Sequence, residues 1–170
     1  MHVLKYADAK ERLNVQYIPD FFTQGKANYF FERLKKEIEY YSPEKTRVKM
    51  RGHYVRIPRL QIAYGDPGLK YVFSGTEIPA KNWNNLIYEI KMDIEKKYPY
   101  KLKHPDNWRL IWTGKDFNFE EKNKNFKIKL GHGSLFSLAY PTNRFWTHGI
   151  NKEPLIHNPR ISLTFRKLLQ

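Results

Sequence analysis

Apolar residues recur along this chain with two different periods, and the switches between them mark its elements. "LNVQYIPDFF" (13–22) alternates until it reaches Pro19, which predicts a short strand running into a turn. In "ANYFFERLKKEIEYY" (27–41), Phe30, Phe31, Leu34, Ile38 and Tyr41 share one face of an amphipathic helix, stopped at Ser42–Pro43. "RVKMRGHYVRIPRLQIAYG" (47–65) reads as two strands or a ribbon, bent at Gly52. "LKYVFSG" (69–75) is strand-like and ends at Gly75. Leu86, Ile90 and Ile94 stripe a second amphipathic helix in "NWNNLIYEIKMDIEKKY" (82–98). From "DFNFEEKNKNFKIKLGHGSLFSLAY" (116–140) the pattern is β, with a polar turn at 121–125. "PRISLTFRKLL" (159–169) alternates Ile161, Leu163 and Phe165 with Ser162, Thr164 and Arg166. Two helices followed by a run of strands predict an α+β fold or a β-sandwich with helices on one side.

Length and composition narrow the picture. A chain of 170 residues is expected to form one domain with a real core, and 41% hydrophobic content excludes a disordered composition. The 31 basic residues exceed the 17 acidic ones, leaving a net charge of +14. That excess favours an anionic partner, nucleic acid first among them, although a soluble lysine-rich protein would also carry it. The absence of cysteine excludes disulfide scaffolds and thiolate metal sites, and suits a reducing compartment. "MHVLKYADAKERL" lacks the apolar run of a signal peptide, and no stretch reaches membrane length. A soluble intracellular protein with no membrane partner is expected.

Three places carry candidate chemistry. Arg160, Ser162, Thr164 and Arg166 share one face at period two, where two guanidinium groups and two hydroxyls can hold a dicarboxylate. A solvated edge strand has the same pattern. His148 follows an aromatic cluster in "RFWTHGI" (144–150), as a metal ligand or as a packed side chain. "KLKHPDNW" (101–108) holds His104 and Asp106 one residue apart, on one face if the chain is extended. Pro105 pushes His104 toward that geometry without demanding it.

Three longer stretches, "IPRLQIAYGDPGLKYVFSG" (57–75), "LGHGSLFSLAYPTNRFWTH" (130–148) and "NPRISLTFRKLL" (158–169), resemble the AlkB family of iron(II)- and 2-oxoglutarate-dependent dioxygenases, in the family's order. The flanks "EIEYYSPEKTRVKMRGHYV" and "NWNNLIYEIKMDIE" also fit in order and spacing. The resemblance implies a double-stranded β-helix (jelly-roll) core with helices packed on one side. It implies a single domain over 1–170, with 13–96 facing substrate and DNA and 97–170 forming a shortened jelly-roll part. His148 matches the distal iron ligand. Arg160 and Arg166 match the arginines that clamp 2-oxoglutarate, and Thr164 matches beside them. Ser162 stands where the family usually has asparagine. Tyr71, Phe73 and Ser74 match the substrate-pocket strand, with Phe73 expected to stack on the damaged base. Arg59 matches an arginine that faces DNA. Met50, Arg51 and Gly52 replace the family's apolar pair and glycine at the finger that fills the gap left by a flipped nucleotide: Met50 can wedge, and Arg51 can stack or meet phosphate. The window from Lys45 to Gly65 holds Arg47, Lys49, Arg51, Arg56 and Arg59 and no acid, making it the best local DNA-facing surface. The family's lysine-rich loop after the distal histidine is replaced by Glu153, Pro154 and Leu155.

The largest departure is between residues 97 and 116, several dozen residues shorter than the family pattern. In one alignment His104 and Asp106 are the other two iron ligands and "NWRLIWTGKDFNF" is a compressed return strand. In the other, an asparagine-bearing strand and the iron motif are both deleted, and the sheet loses a central partner. The first implies a monomeric DNA-repair enzyme, nuclear in a eukaryote and otherwise cytoplasmic. It would oxidatively demethylate 1-methyladenine or 3-methylcytosine, within duplex DNA carrying alkylated bases. It would use iron(II), 2-oxoglutarate and O2, with ascorbate as the reductant in vitro. The second implies a truncated AlkB-like protein that is catalytically inactive but still binds DNA, or one that does not fold cooperatively.

Overall fold

The computed structural model describes residues 2–50, 52–56, 59–73, 76–97, 107–112, 116–121, 123–151 and 159–165. In chain order the elements are β1 (Leu4–Asp8), β2 (Leu13–Ile18), α1 (Gln24–Glu37), a 3-10 turn (Pro43–Thr46), β3 (Arg47–Met50), β4 (His53–Arg56) and β5 (Tyr64–Gly65). They continue as β6 (Lys70–Phe73), β7 (Thr76–Pro79), β8 (Lys81–Asn82), α2 (Asn85–Lys97), β9 (Asn107–Trp112), β10 (Asp116–Glu121) and β11 (Lys124–Lys129). The last are β12 (Ser134–Leu138), α3 (Thr142–Phe145), β13 (Thr147–Gly149) and β14 (Ile161–Phe165). The fold is mixed helix and strand, with nearly all strand pairs antiparallel. Two compact units emerge, Met1–Glu32 with Ile94–Gln170, and Arg33–Asp93.

The first unit is built on two antiparallel sheets, one ordered β1-β2-β12-β9-β14 and the other β11-β10-β13. Register fixes which residues share a face. Val15 and Tyr17 on β2 stand opposite Leu138 and Phe136 on β12, and Phe136 stands opposite Arg109 on β9. Arg109 in turn stands opposite Thr164 on β14. On the small sheet Phe119 is paired with Phe126 on one side and His148 on the other. The two aromatic faces meet in one cluster: Phe117 lies 4.7 Å from Phe136 between ring centroids, and Phe119 stacks on Phe126 at 4.4 Å. Tyr17, Val15, Leu138, Ile128, Leu130 and Trp146 complete it. The opposite face of the large sheet is buried too, with Ile18 and Leu135 fully enclosed.

Both helices match their expected stripes but not their expected ends. Phe30 and Leu34 of α1, and Leu86, Ile90 and Ile94 of α2, are buried. Thr23 caps α1 through its hydroxyl, which accepts from the Lys26 amide, so the helix starts three residues before Ala27. It stops at Glu37 because Tyr41 is held by other partners. Its amide donates to the Gln61 carbonyl at 3.0 Å and its hydroxyl to the Pro79 carbonyl at 2.5 Å. Asn84 caps α2, accepting from the Leu86 amide at 2.9 Å, and this delays the helix to Asn85. Strand β1 alternates, with Leu4 and Tyr6 packed on the core, whereas the short strands β5 and β8 carry no clear alternation and owe their form to pairing.

Gly133 sits at a close approach. Its φ is +73°, and a Cβ there would come within 2.6 Å of the Cβ of buried Ala27. Gly133→Ala is expected to destabilise the protein by at least about 2 kcal/mol, combining left-handed backbone strain with overpacking. Thermal denaturation of the purified variant measures this.

In the second unit, burial raises the phenol pKa of Tyr40. Burial is also the first cause at Tyr64, followed by its neighbours Tyr41, Tyr40 and Glu39. An ionised phenol is disfavoured in the folded state, so this stabilisation is complete below the ordinary tyrosine range near about 10 and is lost as pH rises through the elevated values. Ultraviolet difference titration should therefore show alkaline steps that vanish in Tyr40→Phe and Tyr64→Phe, ahead of or together with unfolding.

Candidate functional site

His148 lies on β13, whose pairing with β10 sets the imidazole beside Phe119 on the face that meets the large sheet. The ring stacks on Phe117 at 5.6 Å with an interplanar angle of 26°, and its centroid is 6.2 Å from that of Phe119. It is half-buried. An imidazole held by two aromatic rings has few orientations open to it, which is what a metal ligand or a proton-transfer group requires. Phe117 is the residue that pattern reading missed here. Its signal was present in "DFNF", where Phe117 and Phe119 alternate onto the same face.

Ser162 and Thr164 share a face of β14, and both are exposed. By register this is the face of the large sheet that carries Phe136. Ile161, Leu163 and Phe165 occupy the other face, where Ile161 is buried. Two hydroxyls open to solvent on a face that otherwise leads into a core suit an anionic group. Arg160 is exposed immediately before the strand. Arg166, His104 and Asp106 lie outside the described residues. Strand β9 starts at Asn107, directly after Asp106, and pairs on both sides, with β12 and with β14. Within "NWRLIWTGKDFNF", Asn107–Trp112 is the interior strand β9 of the large sheet, and Asp116–Phe119 belongs to β10 of the small sheet.

Among the described residues no group of three or more His, Asp or Glu could hold a metal ion. Of the expected iron ligands only His148 is described, and its half-buried imidazole is a donor type that such an ion accepts.

The second unit carries the basic hairpin. Strands β3 and β4 pair with Arg47 opposite Arg56, Val48 opposite Val55, Lys49 opposite Tyr54 and Met50 opposite His53. Gly52 turns the hairpin with φ +85°, a conformation that suits glycine. Val48 is buried, whereas Arg47, Gly52, His53, Tyr54, Arg56 and Arg59 are exposed. Glu44, at the base of the hairpin, has its carboxyl held below the usual range. Its own backbone amide and the Ser42 hydroxyl are the main causes, and Arg47 and Arg56 add to them. The backbone of Tyr71 and Phe73 lies in β6, which pairs with β7. Arg51 and Ser74 lie outside the described residues, as do Glu153, Pro154 and Leu155.

No family model matches the chain. Comparison with curated proteins supports a relationship to the AlkB family. The chain is similar to the DNA oxidative demethylase ALKBH2 of Bos taurus, with 29% identity over 196 residues, 94% of this chain and 70% of the relative. It is 29% identical to the Homo sapiens protein of that name over 87% of the chain and 71% of the relative. The Mus musculus protein is 28% identical over 87% of the chain and 77% of the relative. The bovine match runs over 196 residues, more than the 170 in this chain, so the relative carries residues with no counterpart here. Among the described residues, no helix is long and apolar enough to cross a membrane.

Proposed function

We propose that this protein is an oxidative demethylase of N-alkylated bases in DNA, 1-methyladenine and 3-methylcytosine among them, dependent on iron(II), 2-oxoglutarate and O2. The observation that carries this reading is the similarity to DNA oxidative demethylases over 94% of the chain, joined to His148 and Thr164 on facing sheet surfaces. Iron(II), when bound with 2-oxoglutarate and O2, would supply the oxidation that turns an N-methyl group into one that leaves as formaldehyde.

The chain's own residues do the rest. His148, held by Phe117, presents one imidazole nitrogen to the metal, and His104 and Asp106 complete the ligand set. Ser162 and Thr164 orient the 2-oxoglutarate through hydroxyl hydrogen bonds, and Arg160 and Arg166 neutralise its carboxylates. Tyr71, Phe73 and Ser74 line the base pocket. Arg47, Lys49, Met50, Arg51, Gly52, Arg56 and Arg59 form the DNA-facing surface, chiefly through phosphate contacts. Acting on DNA, the enzyme would work as a monomer in the nucleus of a eukaryote.

The test is turnover. Protein is incubated with iron(II), ascorbate, 2-oxoglutarate and a duplex carrying 1-methyladenine, and methyl loss is followed by mass spectrometry. The wild type should demethylate, while His148→Ala and His104→Ala should each lose activity by at least about a hundredfold, as expected when a metal ligand is removed. If the wild type binds the duplex but is inert where ALKBH2 turns over, the protein is a DNA-binding relative without catalysis. If His104→Ala alone keeps full activity, the "HPD" stretch is not an iron motif.

A further inference from the structure

We propose that the cleft between the β1–β2 turn, the end of β10 and α3 binds a small zwitterion, a free α-amino acid, with its carboxylate on Arg144 and its ammonium group on Glu120. The cleft lies within the first unit. By strand alternation Glu120 and Thr147 point away from Phe119 and His148, so this is a separate site from the one assigned to demethylation.

Charge carries the inference. The cleft has a volume of about 490 Å3, within the roughly 300–1,000 Å3 of small-molecule sites, and is lined by Arg12, Glu120, Glu121, Arg144, Phe145 and Thr147. Two guanidinium groups and two carboxylates line it, so its net charge is zero. Arg12 and Glu121 cancel each other through an ion pair of 2.6 Å, and the Arg12 guanidinium also covers the Phe145 ring at 3.9 Å. Among the described residues, Arg144 and Glu120 have no ion-pair partner, although both line the same cleft. Arg144 only approaches the Phe145 ring, at 5.6 Å. One free cation and one free anion complement a ligand that carries both charges close together. A phosphate or dicarboxylate would satisfy Arg144 and be repelled by Glu120, and a polyamine would do the reverse. An α-amino acid satisfies both, its carboxylate fitting the planar fork of Arg144 while its ammonium meets the Glu120 carboxylate. The Thr147 hydroxyl donates to the Glu120 carbonyl at 3.0 Å, which leaves its oxygen able to accept from that ammonium. The walls are set before a ligand arrives. Arg12 holds φ +53°, a left-handed conformation that a non-glycine residue keeps only where its surroundings impose it. The Trp146 indole fixes that turn by donating to the Glu11 carbonyl at 2.9 Å. Such preorganisation lowers the ordering cost of binding. Phe145 offers apolar surface to the ligand's side chain.

The test is a nuclear magnetic resonance titration of the isotope-labelled full chain with L-leucine. The amides of Glu120, Arg144 and Thr147 should shift and saturate. N-acetyl-L-leucine, which lacks the ammonium charge, and L-leucinamide, which lacks the carboxylate, should each bind at least about tenfold more weakly. Arg144→Gln should weaken L-leucine binding about tenfold and leave the weaker L-leucinamide unchanged. Glu120→Gln should weaken L-leucine similarly and leave N-acetyl-L-leucine unchanged. Both side chains are exposed, so both variants should keep the wild-type melting temperature. If inorganic phosphate or N-acetyl-L-leucine moves the same amides as tightly as L-leucine, the cleft is an anion site and the proposal is overturned. It is equally overturned if L-leucine moves none of the three amides, or binds both charge variants as tightly as wild type.

Discussion

The contact between Phe117 and Phe136 is what the first unit of this molecule hangs on. Their rings meet at 4.7 Å across the two sheets of the first unit, and neither has more than a trace of exposure. Phe117 also stacks on His148, and Phe136 belongs to the register row that ends at Thr164. A single aromatic pair therefore indexes the imidazole on one sheet against the hydroxyls on the other. Buried phenylalanines of this kind contribute about 3–5 kcal/mol each when truncation is the measure. Here the energetic contact and the positioning contact are the same one.

The second unit is held differently. Its long connections are tied by polar anchors on Tyr41, which reaches the carbonyls of Ala63 and Pro79 through its hydroxyl. The Trp83 indole adds a hydrogen bond to Asp66 at 2.8 Å. Such anchors fix loops in a unit that also buries Leu34, Ile38, Val48, Leu86, Ile87 and Ile90, while every residue of β4 is exposed.

Much of this was legible in the residues. The stripes of α1 and α2, the turn at Gly52 and the two faces of β14 follow from periodicity, because period alone decides which side chains share a face. Helix ends did not follow, since Tyr41 is removed from α1 by carbonyls twenty or more residues distant in the chain. Neighbouring strands did not follow either. Alternation in "SLTF" says that Ser162 and Thr164 point the same way, but only pairing with β9 says that they point toward Phe136. The stacking of Phe117 on His148 joins residues 31 positions apart, and no local pattern encodes it. In the site, the residues that periodicity could place were those on β14, while the partner of His148 needed the fold.

The residues that this chain lacks relative to ALKBH2 bear on stability. A strand removed from the middle of a sheet strands the hydrogen-bonding groups of two neighbours, whereas one removed from an edge hands those groups to water. β9 retains partners on both sides, so the interior of the large sheet is continuous from β1 to β14. Among the described residues β14 is the terminal strand of that sheet, and its Ser162 and Thr164 are exposed. Antiparallel sheets tolerate loss at this position because each remaining ladder is complete in itself. Residues absent relative to ALKBH2 can thus be missing without unfolding the core that Phe117 and Phe136 close.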